Sequence, residues 1–205
     1  MKRYIVFATV LSLGFGATAL AQQGKTIMNV NYSVNTPLGS FKSDVVGKTS
    51  LRGWNASVLY GLSNSFSLGV QAGFNDFNET YPRKVYDIKD GAISAVLTNS
   101  VQTIPIQVKA KYNFLPGAIV QPYVAAGAGG NIATFNQYLG EFSNSGKTKF
   151  SFAATPEAGV NIPFGKISAS GITIGANYNY MPFSYQGIKN LNNWGVFAGI
   201  KFPLK

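Results

Sequence analysis

The sequence contains neither cysteine nor histidine. Lacking cysteine, it has no disulfide, no thiol nucleophile and no thiolate metal site, and an oxidising compartment presents no obstacle to it. Lacking histidine, it is without the usual general base and the commonest metal ligand. Charge is also scarce. Only 12% of the residues are Asp, Glu, Lys or Arg, against the roughly 25–35% that a soluble surface carries. After the first twenty or so residues no apolar run approaches the roughly 20 residues of a spanning helix.

What is present begins with a secretory pattern. Lys2 and Arg3 precede an apolar stretch from Tyr4 to Ala17, and Ala19-Leu20-Ala21 offers a small-x-small cleavage site. Residues 1–21 are expected to be a cleaved signal peptide and 22–205 a single domain starting near Gln22. Taking 21 from the 205 residues leaves 184, enough for one substantial core, and no linker or composition break divides them. Removal of Lys2 and Arg3 lowers the formal charge from +10 to +8. That excess forms no dense basic cluster, so nucleic acid is not an expected partner.

The mature part alternates. Met28, Val30, Tyr32 and Val34 fall on one face of an extended strand, and Asn29, Asn31, Ser33 and Asn35 on the other. The last segment repeats the pattern, with Trp194, Val196, Ala198, Ile200, Phe202 and Leu204 opposite Asn193, Gly195, Phe197, Gly199 and Lys201. Eight strands are expected, over 26–35, 53–62, 66–77, 103–113, 120–134, 149–162, 171–181 and 192–204. The long connections 36–52, 78–102 and 135–148 carry most of the charge. They alternate with tight turns at Ser63-Asn64-Ser65, Pro116-Gly117 and Pro163-Phe164-Gly165. This is the pattern of an all-β, membrane-spanning, antiparallel up-and-down barrel with large outside loops and both termini in the periplasm.

Depth sorting of aromatics points the same way. Trp54, Phe74, Phe77, Phe135, Phe150, Tyr180 and Trp194 fall toward the outer side, and Tyr60, Phe66, Tyr112, Phe114, Phe164 and Phe202 toward the periplasmic side. Val58, Val70, Val108, Ile174 and Ala198 lie between them. A soluble sandwich turned outside in would need a charged exterior. Its polar faces would instead read Gly53, Asn55, Ser57; Ser67, Gly69, Gln71, Gly73; Ala153, Thr155, Glu157, Gly159; and Thr173, Gly175, Asn177, Asn179. These small neutral residues suit a narrow lumen. Three prolines interrupt the pattern. Pro105 and Pro122 fall near expected strand ends, and Pro156 is central, so a bulge or local break is expected there.

The signal segment, the eight alternating stretches, the strand Pro122-Tyr123-Val124-Ala125-Ala126-Gly127 and the closing stretch Asn193-Trp194-Gly195-Val196-Phe197-Ala198-Gly199-Ile200 resemble the small outer-membrane β-barrel superfamily of OmpA, OmpX and OmpW types. The resemblance implies an integral outer-membrane protein surrounded by outer-membrane lipids, lipopolysaccharide included. It also implies that the closing strand is offered to the barrel-assembly machinery. The terminal Lys205 departs from the aromatic ending usual there. OmpA-type proteins add a periplasmic peptidoglycan-binding domain; this sequence closes on its last strand, and no such tether is expected. Barrel enzymes of this membrane, including lipid A deacylases, palmitoyltransferases and omptin proteases, rely on histidine. A Ser-Lys or paired-carboxylate device is still conceivable, but Glu157 is the one acid in the interior of an expected strand, and no enzyme, cofactor or metal is expected.

Gly47-Lys48-Thr49 and Gly146-Lys147-Thr148 echo a phosphate-binding loop but lack the glycine five positions earlier. The glycines at 127, 129 and 130 read as close packing against large lumen side chains. Lys109, Lys111 and Lys201 share an inward phase with Glu157 and form a candidate lumen charge network. A narrow interior is normally filled by its side chains and an unpaired buried ion is costly, so an ion-pair network around Glu157 is expected. If a path exists instead, three lysines against one glutamate predict anion preference. In the loops, Lys42, Lys48, Arg83, Lys84, Lys89, Lys147 and Lys149 are candidate contacts for lipopolysaccharide phosphates or an extracellular partner, although solvation accounts for them equally well. The expected function is a monomeric, non-enzymatic surface scaffold or envelope-integrity protein that binds through its loops. The alternatives are a narrow pore, an OmpW-like channel for small molecules, or a barrel accessory to protein secretion.

Overall fold

The computed structural model describes residues 24–88, 91–139, 142–165, 168–185 and 188–204; the expected signal peptide lies outside them. Strands β1 (Thr26–Pro37), β2 (Ser50–Gly61), β3 (Phe66–Ile88), β4 (Gly91–Asn113), β5 (Gln121–Leu139), β6 (Phe142–Pro163), β7 (Gly171–Asn179) and β10 (Asn193–Leu204) close an eight-stranded ring. A short helix, α1 (Gly39–Asp44), follows β1, and a small hairpin of β8 (Pro182–Tyr185) and β9 (Ile188–Asn190) precedes β10. All eight pairings around the ring are antiparallel, and β1 meets β10 to complete it. Closure pairs the backbone from strand to strand, which is what hydrocarbon demands of a spanning sheet.

The alternation in the sequence is the alternation of the wall. Asn29, Asn31, Ser33 and Asn35 are buried in the lumen, and Val30 and Tyr32 face outward. In β10, Asn193, Phe197 and Lys201 point in, whereas Trp194, Val196 and Ile200 point out. Strand five, nearly uniform in Gly and Ala, takes the phase that buries Tyr123, Ala125, Asn131 and Ala133.

The wall is uneven. β3 and β4 have 23 residues each, β6 has 22 and β5 has 19, against 12 in β1, β2 and β10 and 9 in β7. Segments 78–102 and 135–148, expected as long connections, are therefore mostly strand. The outward residues mark where the bilayer ends. On β3, Leu68, Val70, Ala72 and Phe74 give way to Asp76, Asn78 and Thr80; on β4, Val108, Ile106 and Ile104 give way to Gln102, Ser100 and Thr98. The apolar portions match the roughly 9–11 tilted residues that cross a bilayer. Above them a four-stranded sheet stands in water, tied by cross-strand Thr80–Thr98 and Thr134–Thr148 hydroxyl pairs at 3.1 and 3.0 Å.

Inside this raised half-wall the facing residues turn apolar: Phe77, Val101, Ala133 and Ala153 are buried, with Phe135 partly so. Phe77 and Phe135, expected in the outer aromatic girdle, thus point inward. Onto them fold Phe41, Val45 and Val46 from α1 and its C-terminal end, and Met181, Phe183, Ile188 and Leu191 from the hairpin region. The rings of Phe41 and Phe77 meet edge to face at 5.0 Å. Asn190 Nδ2 donates to Ser40 Oγ at 2.9 Å, and Leu38 N to the Asn192 carbonyl at 2.9 Å, joining the two inserts into one plug.

The prolines act on one side each. Pro156 keeps its place opposite Ala126 on β5, with no bulge, but the β6–β7 ladder stops at Glu157–Asn177 and resumes only at the Ala154–Tyr180 bridge. Pro105 lies well inside β4, not near its end as expected from the sequence. It pairs with Asn131 on β5 and leaves a gap on the β3 side between Ala72–Ile106 and Asn75–Thr103. A missing N–H costs only the neighbour it would have faced.

Candidate functional site: the lumen and the outer rim

The lumen is built by residues of one phase on all eight strands. Lys109 on β4 and Glu157 on β6 are separated by β5, whose inward residues between them are Ala125 and Gly127. With no bulk on β5, the lysine reaches across it, and its Nζ lies 2.7 Å from Glu157 Oε2. A Cβ on Gly127 would approach Gln107 Oε1 to 2.7 Å, so a larger residue there would displace the Gln107 side chain. Lys109 also donates to Gln71 Oε1 at 2.8 Å, and the Tyr123 hydroxyl donates to Glu157 Oε1 at 2.8 Å. Both carboxylate oxygens are therefore engaged, which is the condition for a buried ion pair to hold. Lys111 lies below, donating to Asn161 Oδ1 at 3.1 Å with its ammonium 3.7 Å from the Tyr123 ring centroid. Lys201 shares the inward phase but makes no hydrogen bond or ion pair among the described residues.

Above Glu157 the side chains bond in relay. Gln107 donates to Thr155 at 3.0 Å, Thr155 to Asn179 at 3.0 Å and Asn179 to Asn193 at 2.7 Å. Asn35 donates to Asn75 at 2.7 Å and Asn31 to Asn55 at 2.8 Å. Two voids among the described residues are small. One of about 20 Å³ lies at the periplasmic end among Ile27, Asn29, Ser67, Lys111, Asn161 and Lys201, and another of about 10 Å³ lies higher, beside Asn35, Asn75 and Pro105. Each has room for about one water-sized particle.

Of the glycines singled out in the sequence, Gly127 packs against a lumen side chain as expected. Gly129 packs against the backbone of β4 at Ile106, and Gly130 faces outward beneath the Phe150 ring.

The sequence matches the family model of the outer membrane protein beta-barrel domain over residues 7–202. The chain belongs to this outer-membrane β-barrel family. It is integral to the outer membrane, and its outward belt sits in lipid. No curated protein sequence matches it. Among solved structures, it is similar to Neisserial surface protein A, at 16% identity and TM-score 0.57, covering 87% of this chain and 97% of that one. It is also similar to the outer membrane protein OprG of Pseudomonas aeruginosa, at 13% identity and TM-score 0.51, covering 90% and 97%. At such identities the likeness is one of fold.

On the outside of this family barrel the candidate rim cations are spread. Lys42 is exposed on α1 and Lys48 on the connection after it. Arg83 and Lys84 are exposed on β3, where the pairing with β4 shifts register, and so are strand residues, not loop residues. Lys149 lies on β6 and donates to the Ser184 carbonyl at 3.2 Å. Lys147 is also on β6 with its side chain outside the described residues, and Lys89 lies outside them altogether. Lys42 and Lys149 stand on elements that meet at the plug, whereas Arg83 and Lys84 stand apart along β3. Sequence reasoning missed Lys189, exposed on β9, and the outward Arg52–Asp76 ion pair at 3.3 Å. Lys189 could have been found by the criterion used for the other connections, a charge between strands.

Proposed function

We propose that this outer-membrane barrel is a non-enzymatic surface scaffold that presents its raised half-wall and plug for binding, with no solute path through it. The observation that carries this reading is closure of the lumen at two levels. Hydrogen-bonded Asn, Gln, Thr, Lys and Glu side chains crowd the membrane section, where two cavities among the described residues are water-sized, and the apolar plug of α1 and the β8–β9 region packs against the inner face of the raised wall at the outer end. An ion crossing that plug would lose its hydration without compensating ligands. The small polar interior gives equally little support to passage of hydrophobic molecules. Binding is assigned to the outer surface because that is where the chain spends its longest strands beyond what a bilayer crossing requires, together with exposed Lys42, Lys48, Arg83, Lys84 and Lys189.

The test is single-channel recording of the mature barrel in a planar bilayer, with folding verified by heat-modifiable gel mobility. Silence from folded protein is expected. Discrete, reproducible steps would overturn the reading in favour of a pore, with Lys109, Lys111 and Lys201 as its selectivity residues.

A further inference from the structure

The lumen is out of charge balance. Its inward lysines are Lys109, Lys111 and Lys201, and its one inward acid in the membrane section is Glu157, which is engaged by Lys109. Two ammonium groups are left over. Lys111 is 6% exposed and Lys201 4%, so bulk water does little to solvate either, and a buried charge without a counter-charge is among the most costly features a fold can carry. Lys111 has the Asn161 amide oxygen and the face of Tyr123. Both are weak compensation, since that amide oxygen also accepts from Thr173 at 3.0 Å.

Both lysines line the same cavity of about 20 Å³, together with Asn29, Ser67, Asn113 and Asn161. Among the described residues no carboxylate lines it. Ser67 and Asn113 lie at the periplasmic ends of β3 and β4, and Lys201 lies three residues from the end of β10, so the cavity is reached from the periplasmic mouth. A water molecule would fit but brings no charge. We propose that this cavity is a binding site for a small monatomic anion of the chloride class, held between the Lys111 and Lys201 ammonium groups. The anion supplies the negative charge that the strands do not. The two ammonium groups are the donors for the anion, since the Asn29 and Asn161 amide nitrogens already donate to Ser57 and Asn113, and the small volume suits a monatomic ion. This site stands independently of the scaffold reading, since a closed barrel can lack it and a conducting one can contain it.

Bromide tests it directly on the unaltered protein. Crystals of the folded barrel grown or soaked in bromide and measured at the bromine absorption edge should give an anomalous peak between Lys111 and Lys201; absence of a peak there overturns the proposal. In solution, the midpoint of the heat-modifiable transition is compared in chloride and in gluconate at equal ionic strength. Chloride at about ten times its dissociation constant should raise the midpoint by roughly 3–5 °C and then saturate. That rise should vanish in Lys201→Met and in Lys111→Met, and persist in Lys25→Met, which removes an exposed lysine at the same end of the barrel. Equal midpoints in the two salts would mean that no halide binds, and a chloride effect surviving in both lumen variants would place the halide elsewhere; either overturns the site.

Discussion

At the scale of single residues, the tightest constraint is the crossing of β5 by Lys109. Glu157→Gln leaves that ammonium buried without its partner, and a loss of about 3–5 kcal/mol is expected, read as a lower urea midpoint for folded mobility. Replacing both ends, as in Lys109→Met with Glu157→Leu, should cost less than the single change, because no charge is then stranded. A deficit as large in the double variant would refute this account. The neighbouring glycines differ in kind despite adjacent positions. A Cβ on Gly129 meets the backbone of Ile106, which cannot move without parting β4 from β5, whereas one on Gly130 meets only the ring of Phe150, a side chain 78% exposed and free to swing away. Gly129→Ala should therefore lower the thermal midpoint clearly more than Gly130→Ala.

At the scale of elements, the membrane section was legible from sequence and the outer section was not, for a physical reason. A strand in a bilayer must be apolar on one side and here is polar on the other, so period two is written into residues such as Leu68, Val70, Ala72 and Phe74. Once β3 leaves the lipid, its outward face meets water, and Asn78-Glu79-Thr80-Tyr81-Pro82-Arg83-Lys84 alternates in nothing a reader could detect. The plug was hidden differently. Phe41, Val45 and Val46 are apolar without a period that assigns them a direction, and their partners come from β3–β6 and from residues 181–191. One signal was available: Phe77 has the parity of Gln71, Gly73 and Asn75, and so belonged inside from the start. The lysine–glutamate phase could be read, whereas which lysine would reach Glu157 depended on the register of three strands. Because α1 and the β8–β9 hairpin take no part in the strand pairing that closes the ring, Phe41→Ala should loosen the plug alone. Amide exchange across residues 39–46 should rise, and the heat-modifiable midpoint of the barrel should stay near that of the parent. A collapse of the midpoint would mean that plug and barrel fold as one unit.

At the scale of the whole molecule, the absence of native cysteine makes orientation simple to test, since any introduced thiol is the only one. Lys84→Cys on the raised part of β3 should react with an impermeant maleimide on intact cells. Ser63→Cys, in the tight turn between β2 and β3, should react only after the outer membrane is permeabilised, and the reverse pattern would invert the topology. The raised half-wall also bears on how the protein reaches its place. Segments beyond the bilayer have to traverse it during insertion, and an unstructured run of some 25 residues carrying Glu79, Arg83 and Lys84 would drag a train of unpaired amides through oil. Drawn as the paired β3–β4 hairpin seen here, the same run would cross with its inner hydrogen bonds already made, and the feature that gives the barrel its height would then also ease its export.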